Sequence, residues 1–78
     1  MNHANVKPGI YQHFKSEKMK YEVFGTAMHT ETEENIVVYR ALYDDYKLYA
    51  RPESMFLEQV DKPEYNYKGP RFILIKEL

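Results

Sequence analysis

Short apolar stretches alternate with polar ones along the chain, and each apolar stretch has the length of a β-strand. β-Branched and aromatic residues dominate these stretches, which favours strands over helices. Polar segments rich in Thr, Glu, Asn and Asp separate them, as is typical of hairpin turns. The pattern predicts six strands, at residues 10–14, 19–29, 36–43, 46–51, 56–60 and 72–75.

Two residues interrupt this pattern in an informative way. Gly25 lies in the middle of the long second strand, where an isolated glycine indicates a β-bulge or a sharp bend. Pro52 pushes Arg51 towards an extended conformation and suits the start of a short helical turn. We therefore expect one α-helical or 3₁₀ turn near residues 52–55.

The two least apolar segments are expected to stay outside the sheet. Residues 1–7 are mostly polar and are predicted to form a frayed end. Residues 61–70 contain two prolines and one glycine and are predicted to form an exposed loop. The whole chain, residues 1–78, is then one small domain.

Hairpins with short turns and an apolar last strand favour an all-β fold. We predict a small SH3-like barrel or roll of five to six short antiparallel strands. The alternative is an α+β roll with a longer helix over residues 52–60. Odd and even positions are both apolar in segments 21–29 and 36–43, so the sequence does not decide which face of each strand is buried. A loop, the last strand or a second copy of the chain could cover the outer surface.

Composition narrows the classes of function. The formal charge is −1 and the pI is near 6.3, so the chain has no strong general attraction to nucleic acid or anionic lipid. It has no cysteine, which excludes thiolate catalysis and Cys-ligated zinc. No apolar run approaches the length of a membrane span of about 18 residues. We expect a cytoplasmic protein without membrane association.

A series of short segments follows one family at the expected spacing. They are GIYQHFK at residues 9–15, YEV at 21–23, HTET at 29–32, VVYRALY at 37–43, RP at 51–52 and MF at 55–56. Over these segments the chain resembles a bacterial family known as domain of unknown function 1653. The family's usual Leu-Trp-Val-Arg-Pro stretch here has Tyr49 and Ala50 in place of Trp and Val. The resemblance implies a compact SH3-like β-roll in a cytoplasmic bacterial protein, and it implies no activity.

Tyrosines are the most suggestive candidates for a binding surface. The group consists of Tyr39, Tyr43, Tyr46 and Tyr49, on two consecutive predicted strands and their turn, accompanied by Arg40 and Arg51. Tyrosine combines a large apolar ring with a polar tip, so grouped tyrosines favour recognition of peptides. The alternative is that the rings pack the core of a chain without tryptophan. Arg51 could fix the helical turn by bonding Glu53 or Glu58, or it could hold an anion from a ligand.

The histidines suggest a second class of function. His13, His29 and Glu31 are of the types that ligate metals or act as general bases. In a hairpin of strands 10–14 and 19–29, however, the two histidines lie on the order of 25 Å apart along the strand. We therefore expect structural histidines and assign no catalytic residue, metal or cofactor.

The sequence thus favours a non-catalytic binding module that contacts a protein partner, or a second copy of itself, through a tyrosine-rich surface. Its predicted binding residues are Tyr39, Tyr43, Tyr49, Arg51, His13 and His29. The alternatives are single-stranded nucleic-acid binding and a small enzyme or metal site. Acidic residues crowd the loops next to the tyrosines and oppose phosphate, which disfavours nucleic acid as a ligand.

Overall fold

The apolar stretches form seven β-strands in the computed structural model, which describes residues 6–78. One four-residue helix and one 3₁₀ turn complete the elements of that part of the chain. The elements are β1 (Gly9–His13), β2 (Lys20–Met28), β3 (Asn35–Ala41), β4 (Leu48–Pro52), α1 (Glu53–Phe56), β5 (Gln59–Lys62), the 3₁₀ turn Pro63–Tyr65, β6 (Tyr67–Pro70) and β7 (Phe72–Glu77).

Five of the strands form one antiparallel sheet in the order β4-β3-β2-β1-β7, and β5 pairs with β6 in a separate hairpin. The predicted all-β class is confirmed. The strand count is higher than the five to six expected. The sheet does not close into a barrel, because its edge strands β4 and β7 do not pair with each other within residues 6–78. The domain is a small open sheet with a hairpin added to it.

One face of the sheet carries the core. Burial alternates along β1 and β3, so that every second side chain points to the same side. The buried cluster joins residues from four strands of the sheet and the helix. Its members are Val6, Tyr11, Tyr21, Val23, Val37, Tyr39, Ala41, Phe56 and Phe72. Aromatic rings supply much of this core, which is how a short chain without tryptophan fills its interior.

A β-bulge in β2 changes which of its positions face the core. Val23 pairs with Tyr39, and Thr26 pairs with Val37, with the register shifting between Val23 and Gly25. Cross-strand partners share a face, so the core-facing positions change from odd to even at the bulge. The predicted irregularity at Gly25 is confirmed, and its φ of 143° is a conformation that suits glycine.

The short helix α1 covers the core face of the sheet. Pro52 ends β4 in an extended conformation, with φ −52° and ψ 138°, and the helix begins at Glu53. Its one buried residue, Phe56, stacks on Phe72 with ring centroids 4.3 Å apart and meets Tyr11 edge-on at 5.5 Å. The predicted helical turn is therefore present, and the alternative with a longer helix over 52–60 is wrong.

Two predicted segments, 56–60 and 61–70, need correction. The strand expected at 56–60 begins only at Gln59, because Phe56 belongs to the helix. Residues 61–70 contain no buried side chain, but they do not form the predicted loop: β5 and β6 pair from Gln59↔Pro70 to Lys62↔Tyr67. Asn66 allows this tight reversal by taking the left-handed conformation with φ 51°.

The predicted frayed end at residues 1–7 is also wrong in its last part. Val6 is only 5% exposed and belongs to the core cluster. Lys7 is tied to β1, since its backbone N–H donates to the hydroxyl of Tyr11, which in turn donates to the carbonyl of Lys7. The prediction for residues 1–5 lies outside the described part of the chain.

Within residues 6–78, no helix is long or apolar enough to cross a membrane.

Candidate functional site: a tyrosine-walled cavity

A cavity of about 180 Å³ opens beside the core where five strands come together. Its walls are aromatic apart from one guanidinium group and one imidazole ring. The lining residues are His13, Tyr21, Tyr39, Tyr43, Tyr49, Arg51 and Phe72. Five of the six residues predicted to bind a partner line this one cavity.

Sheet register brings these side chains together. Tyr39 of β3 pairs with Tyr49 of β4, and Arg51 lies two residues further along β4 on the same face. On the other side, His13 of β1 pairs with Phe72 of β7. Residues far apart in sequence therefore meet because β1, β2 and β3 are neighbours in one sheet.

Arg51 is held in the cavity wall by its inner nitrogen. Its Nε donates a hydrogen bond to the Tyr39 hydroxyl at 3.2 Å, and its Cζ lies 5.7 Å from the centre of the Phe72 ring. The salt bridges within residues 6–78 are Lys7–Glu77, Lys47–Asp45 and Arg71–Glu58, so Arg51 has no acidic partner. The outer N–H groups of its guanidinium make no hydrogen bond in that part of the chain.

Arg51 does not bond its predicted partner Glu58. Glu58 accepts a hydrogen bond from Nη2 of Arg71 at 3.0 Å instead of bonding Arg51. The position of Arg51 is fixed by Tyr39 and Phe72, and the α1 turn is formed without it. Its positive charge is left facing the cavity.

His13 is a buried, neutral wall of the same cavity. Its Nδ1 accepts a hydrogen bond from the backbone N–H of Lys15 at 3.2 Å, so Nε2 carries the ring proton. The ring stacks on Phe14 at 4.6 Å and meets Phe72 edge-on at 5.2 Å. Burial lowers the pKa of His13 to about 4, and the charges of Lys15, Arg71 and Arg51 add to the effect.

The tyrosines of the cavity differ in how far they reach solvent. Tyr39 is 4% exposed and belongs to the core, Tyr43 is half-buried, and Tyr49 is 43% exposed. The hydroxyls of Tyr21 and Tyr43 are hydrogen-bonded to each other. Burial, with this hydrogen bond, raises the pKa of Tyr21, so its phenol stays protonated at neutral pH. Of the predicted tyrosine surface, Tyr39 is therefore part of the core, and Tyr49 is exposed at the edge of the cavity.

A second cavity of about 210 Å³ adjoins the first. The two share Tyr43 and Tyr49 as walls, and the second also includes Asp44, Asp45 and Lys47, whose Nζ lies 3.8 Å from Oδ2 of Asp45. Together they form a groove along the β3–β4 turn, with one positive charge at the Arg51 end and a net charge of −1 at the other. We call this the tyrosine groove.

His29 does not belong to the groove. It follows the end of β2, and its Nδ1 accepts hydrogen bonds from the backbone N–H groups of Glu31 and Thr32. Here the imidazole holds a turn together, as expected of a structural histidine. Within residues 6–78, no group of three or more His, Asp or Glu side chains could hold a metal ion.

The sequence interpretation missed Tyr21 and Phe72 as cavity residues. Tyr21 is two residues before Val23 on the core face of β2, and Phe72 is the first residue of β7. Both carry the apolar character that predicted a core position. Phe72 lies beside His13 because β1 pairs with β7, and no local sequence pattern predicts that pairing.

The lining of the cavity is mainly aromatic and rich in hydrogen-bond donors. It offers N–H and O–H donors, aromatic faces and one positive charge, and it contains no Ser, Asp or Glu. A hydrolytic triad needs a nucleophile, a base and an orienting acid in one place. These features define the class as a small open-sheet β domain with an aromatic cavity.

Comparison with known proteins agrees with this fold. The chain matches the model of the family described as protein of unknown function, DUF1653, over residues 9–74, and it belongs to that family. The crystal structure of a DUF1653 protein from Bordetella bronchiseptica is similar, with a TM-score of 0.81 and 30% identity over 95% of this chain and 92% of that one. Comparison with curated proteins gives no match.

Proposed function

We propose that the protein is a non-catalytic binding module whose tyrosine groove holds an extended segment of a partner protein. The observation that carries this proposal is the convergence of Tyr39, Tyr43, Tyr49, Arg51 and His13 on one cavity. Partly exposed aromatic rings with polar tips, next to a cation, are the residue types enriched where proteins recognise one another.

The size of the groove supports a segment of chain as its occupant. Each cavity, at about 180 and 210 Å³, is below the roughly 300–1,000 Å³ typical of sites for drug-sized molecules. Two small adjoining cavities that share Tyr43 and Tyr49 suit successive side chains of an extended peptide. The charge difference between the Arg51 end and the Asp44–Asp45 end would orient that peptide. The proposal keeps the cytoplasmic location expected from the sequence.

Selection from a displayed random-peptide library tests the proposal. The wild-type domain is expected to enrich related peptides, and Tyr49→Ala is expected to lose most of their binding because Tyr49 walls both cavities. Tyr65→Ala is the matched control, since Tyr65 is 47% exposed against 43% for Tyr49 and lies outside both cavities.

Two results would contradict the proposal. One is enrichment of no related peptides by a folded domain. The other is equal binding of the selected peptides to the Tyr49 and Tyr65 variants. Sedimentation velocity over a range of concentrations tests the alternative occupant: a dimer disrupted by Tyr49→Ala would assign the groove to a second copy of the chain.

A further inference from the structure

The Arg51 end of the tyrosine groove indicates which chemical class of ligand the groove would bind. Nε of Arg51 is occupied by Tyr39, while its outer N–H groups are not used within residues 6–78. A guanidinium presents such N–H groups as a planar fork that matches the two oxygens of a carboxylate. Within residues 6–78, the buried side-chain nitrogen and oxygen atoms without a partner are Thr26 Oγ1 and Arg71 Nε, so the outer nitrogens of Arg51 stay accessible to a ligand.

His13 adds a second donor to the same wall. Because Nδ1 is occupied by the Lys15 amide, the ring proton lies on Nε2. Lys15, Arg71 and Arg51 all lie near this ring, and of these Arg71 is paired with Glu58. No carboxylate lines the cavity.

The other residues around the cavity limit the charge of the ligand and favour an apolar group attached to that charge. The lining of this cavity contains one formal cation, Arg51. The adjoining cavity adds Asp44, Asp45 and Lys47, a net charge of −1, which opposes a doubly charged anion such as phosphate. Aromatic rings surround the fork and suit a hydrocarbon group attached to the anion. A cationic head group, which aromatic cages can bind, is disfavoured by Arg51 itself.

We propose that this cavity binds a singly charged carboxylate on a small apolar or aromatic body, held by the outer N–H groups of Arg51 and by Nε2–H of His13. The inference rests on the proposed function where the carboxylate belongs to a peptide, at its C-terminus or on a side chain. The same chemistry would take a free carboxylic acid of similar size.

Titration of the ¹⁵N-labelled domain with phenylacetate, followed by NMR, tests this inference. Phenylacetate is expected to shift the Arg51 Nε–Hε signal and the amides of β3 and β4 in a saturable manner. Phenylacetamide, which has the same shape without the charge, is expected to bind about tenfold more weakly or worse. Inorganic phosphate is expected to compete poorly.

Variants locate the site. Arg51→Gln is expected to weaken phenylacetate binding by about tenfold or more, because it removes the charged fork. Arg40→Gln is the matched control, since Arg40 is the same residue type on the adjacent strand, outside the cavity. A dispersed NMR spectrum shows that each variant is folded. Equal binding of acid and amide, preference for phosphate, no saturable shift, or unchanged binding by Arg51→Gln would each overturn the inference.

Peptides ending in a free or an amidated carboxyl group separate the two sources of carboxylate. Loss of peptide binding on amidation assigns the site to a chain terminus. Binding of phenylacetate while the library yields no peptide would keep the carboxylate site and reject the proposed function. Selected peptides that bind equally well without any carboxylate would keep the proposed function and reject the carboxylate site.

Discussion

The hydroxyl of Tyr39 accepts a hydrogen bond from Nε of Arg51 at 3.2 Å, and this contact joins the core of the domain to its candidate site. Tyr39 is buried among aromatic rings, while Arg51 is half-buried and faces the cavity. The bond fixes the plane of the guanidinium and so the direction of its outer N–H groups. The core and the proposed binding site therefore share one residue pair.

Tyr39→Phe is expected to lower the free energy of unfolding by about 1 kcal/mol, because it removes the acceptor of the Arg51 Nε–H and keeps the ring. Tyr49→Phe is the control, since no hydrogen bond of the Tyr49 hydroxyl is found within residues 6–78. Urea unfolding followed by circular dichroism measures both. A loss for Tyr49→Phe as large as that for Tyr39→Phe would contradict the role of the bond.

Phe56→Ala is expected to destabilise the domain by about 3–5 kcal/mol. Its ring stacks on Phe72 and contacts Tyr11, so its removal leaves a hole where the helix covers the sheet. For so small a domain this loss approaches the whole stability, which is about 5–15 kcal/mol for globular proteins in general. Leu57→Ala, at an exposed neighbouring position, should cost less than about 1 kcal/mol in the same thermal or urea unfolding experiment.

Gly25→Ala is expected to destabilise by about 1–3 kcal/mol through the backbone alone. The φ of Gly25 is 143°, which side chains rarely allow, whereas an added Cβ would meet no atom within 4 Å. Phe24→Ala serves as the control, because Phe24 is the extra residue of the same bulge and is 46% exposed. A Gly25→Ala variant as stable as wild type in urea unfolding would show that the bulge adapts without strain.

The stability of the domain is expected to fall as the pH decreases from about 6.5 to about 4. The pKa of His13 is lowered from 6.5 to about 4 in the folded state, so in this range the unfolded chain binds a proton that the folded chain does not. The stabilisation is fully present above pH 6.5 and is lost on acidification, by up to about 3 kcal/mol.

His13→Gln is expected to flatten that pH dependence, and His29→Gln, in an exposed turn, is expected to keep it. The comparison is best made between pH 6.5 and 5, above the range where carboxylates titrate strongly. Urea unfolding at a series of pH values gives the slopes. Equal slopes for wild type and His13→Gln would show that His13 is not the group responsible.

Local patterns predicted much of this molecule and failed at identifiable places. The strands around Val37 and Phe72 and the bulge at Gly25 follow from β-branched and aromatic residues and from one isolated glycine. The hairpin over residues 59–70 was missed because prolines and polar residues usually indicate a loop. Its closure depends on the left-handed Asn66 and on the Arg71 amide donating to the Glu58 carbonyl, contacts that composition does not show.

The amino-acid sequence by itself determined the all-β class, the short helical turn after Pro52 and five residues of the candidate cavity. These features depend on neighbours in sequence or on side-chain type. Tertiary structure alone decided that the sheet stays open, that β7 joins it beside β1, and that Arg51 turns to Tyr39 rather than to Glu58. The reason is physical: strand pairing between distant segments is selected by the packing of the whole core, and each contact made there changes which partner remains available to a long side chain.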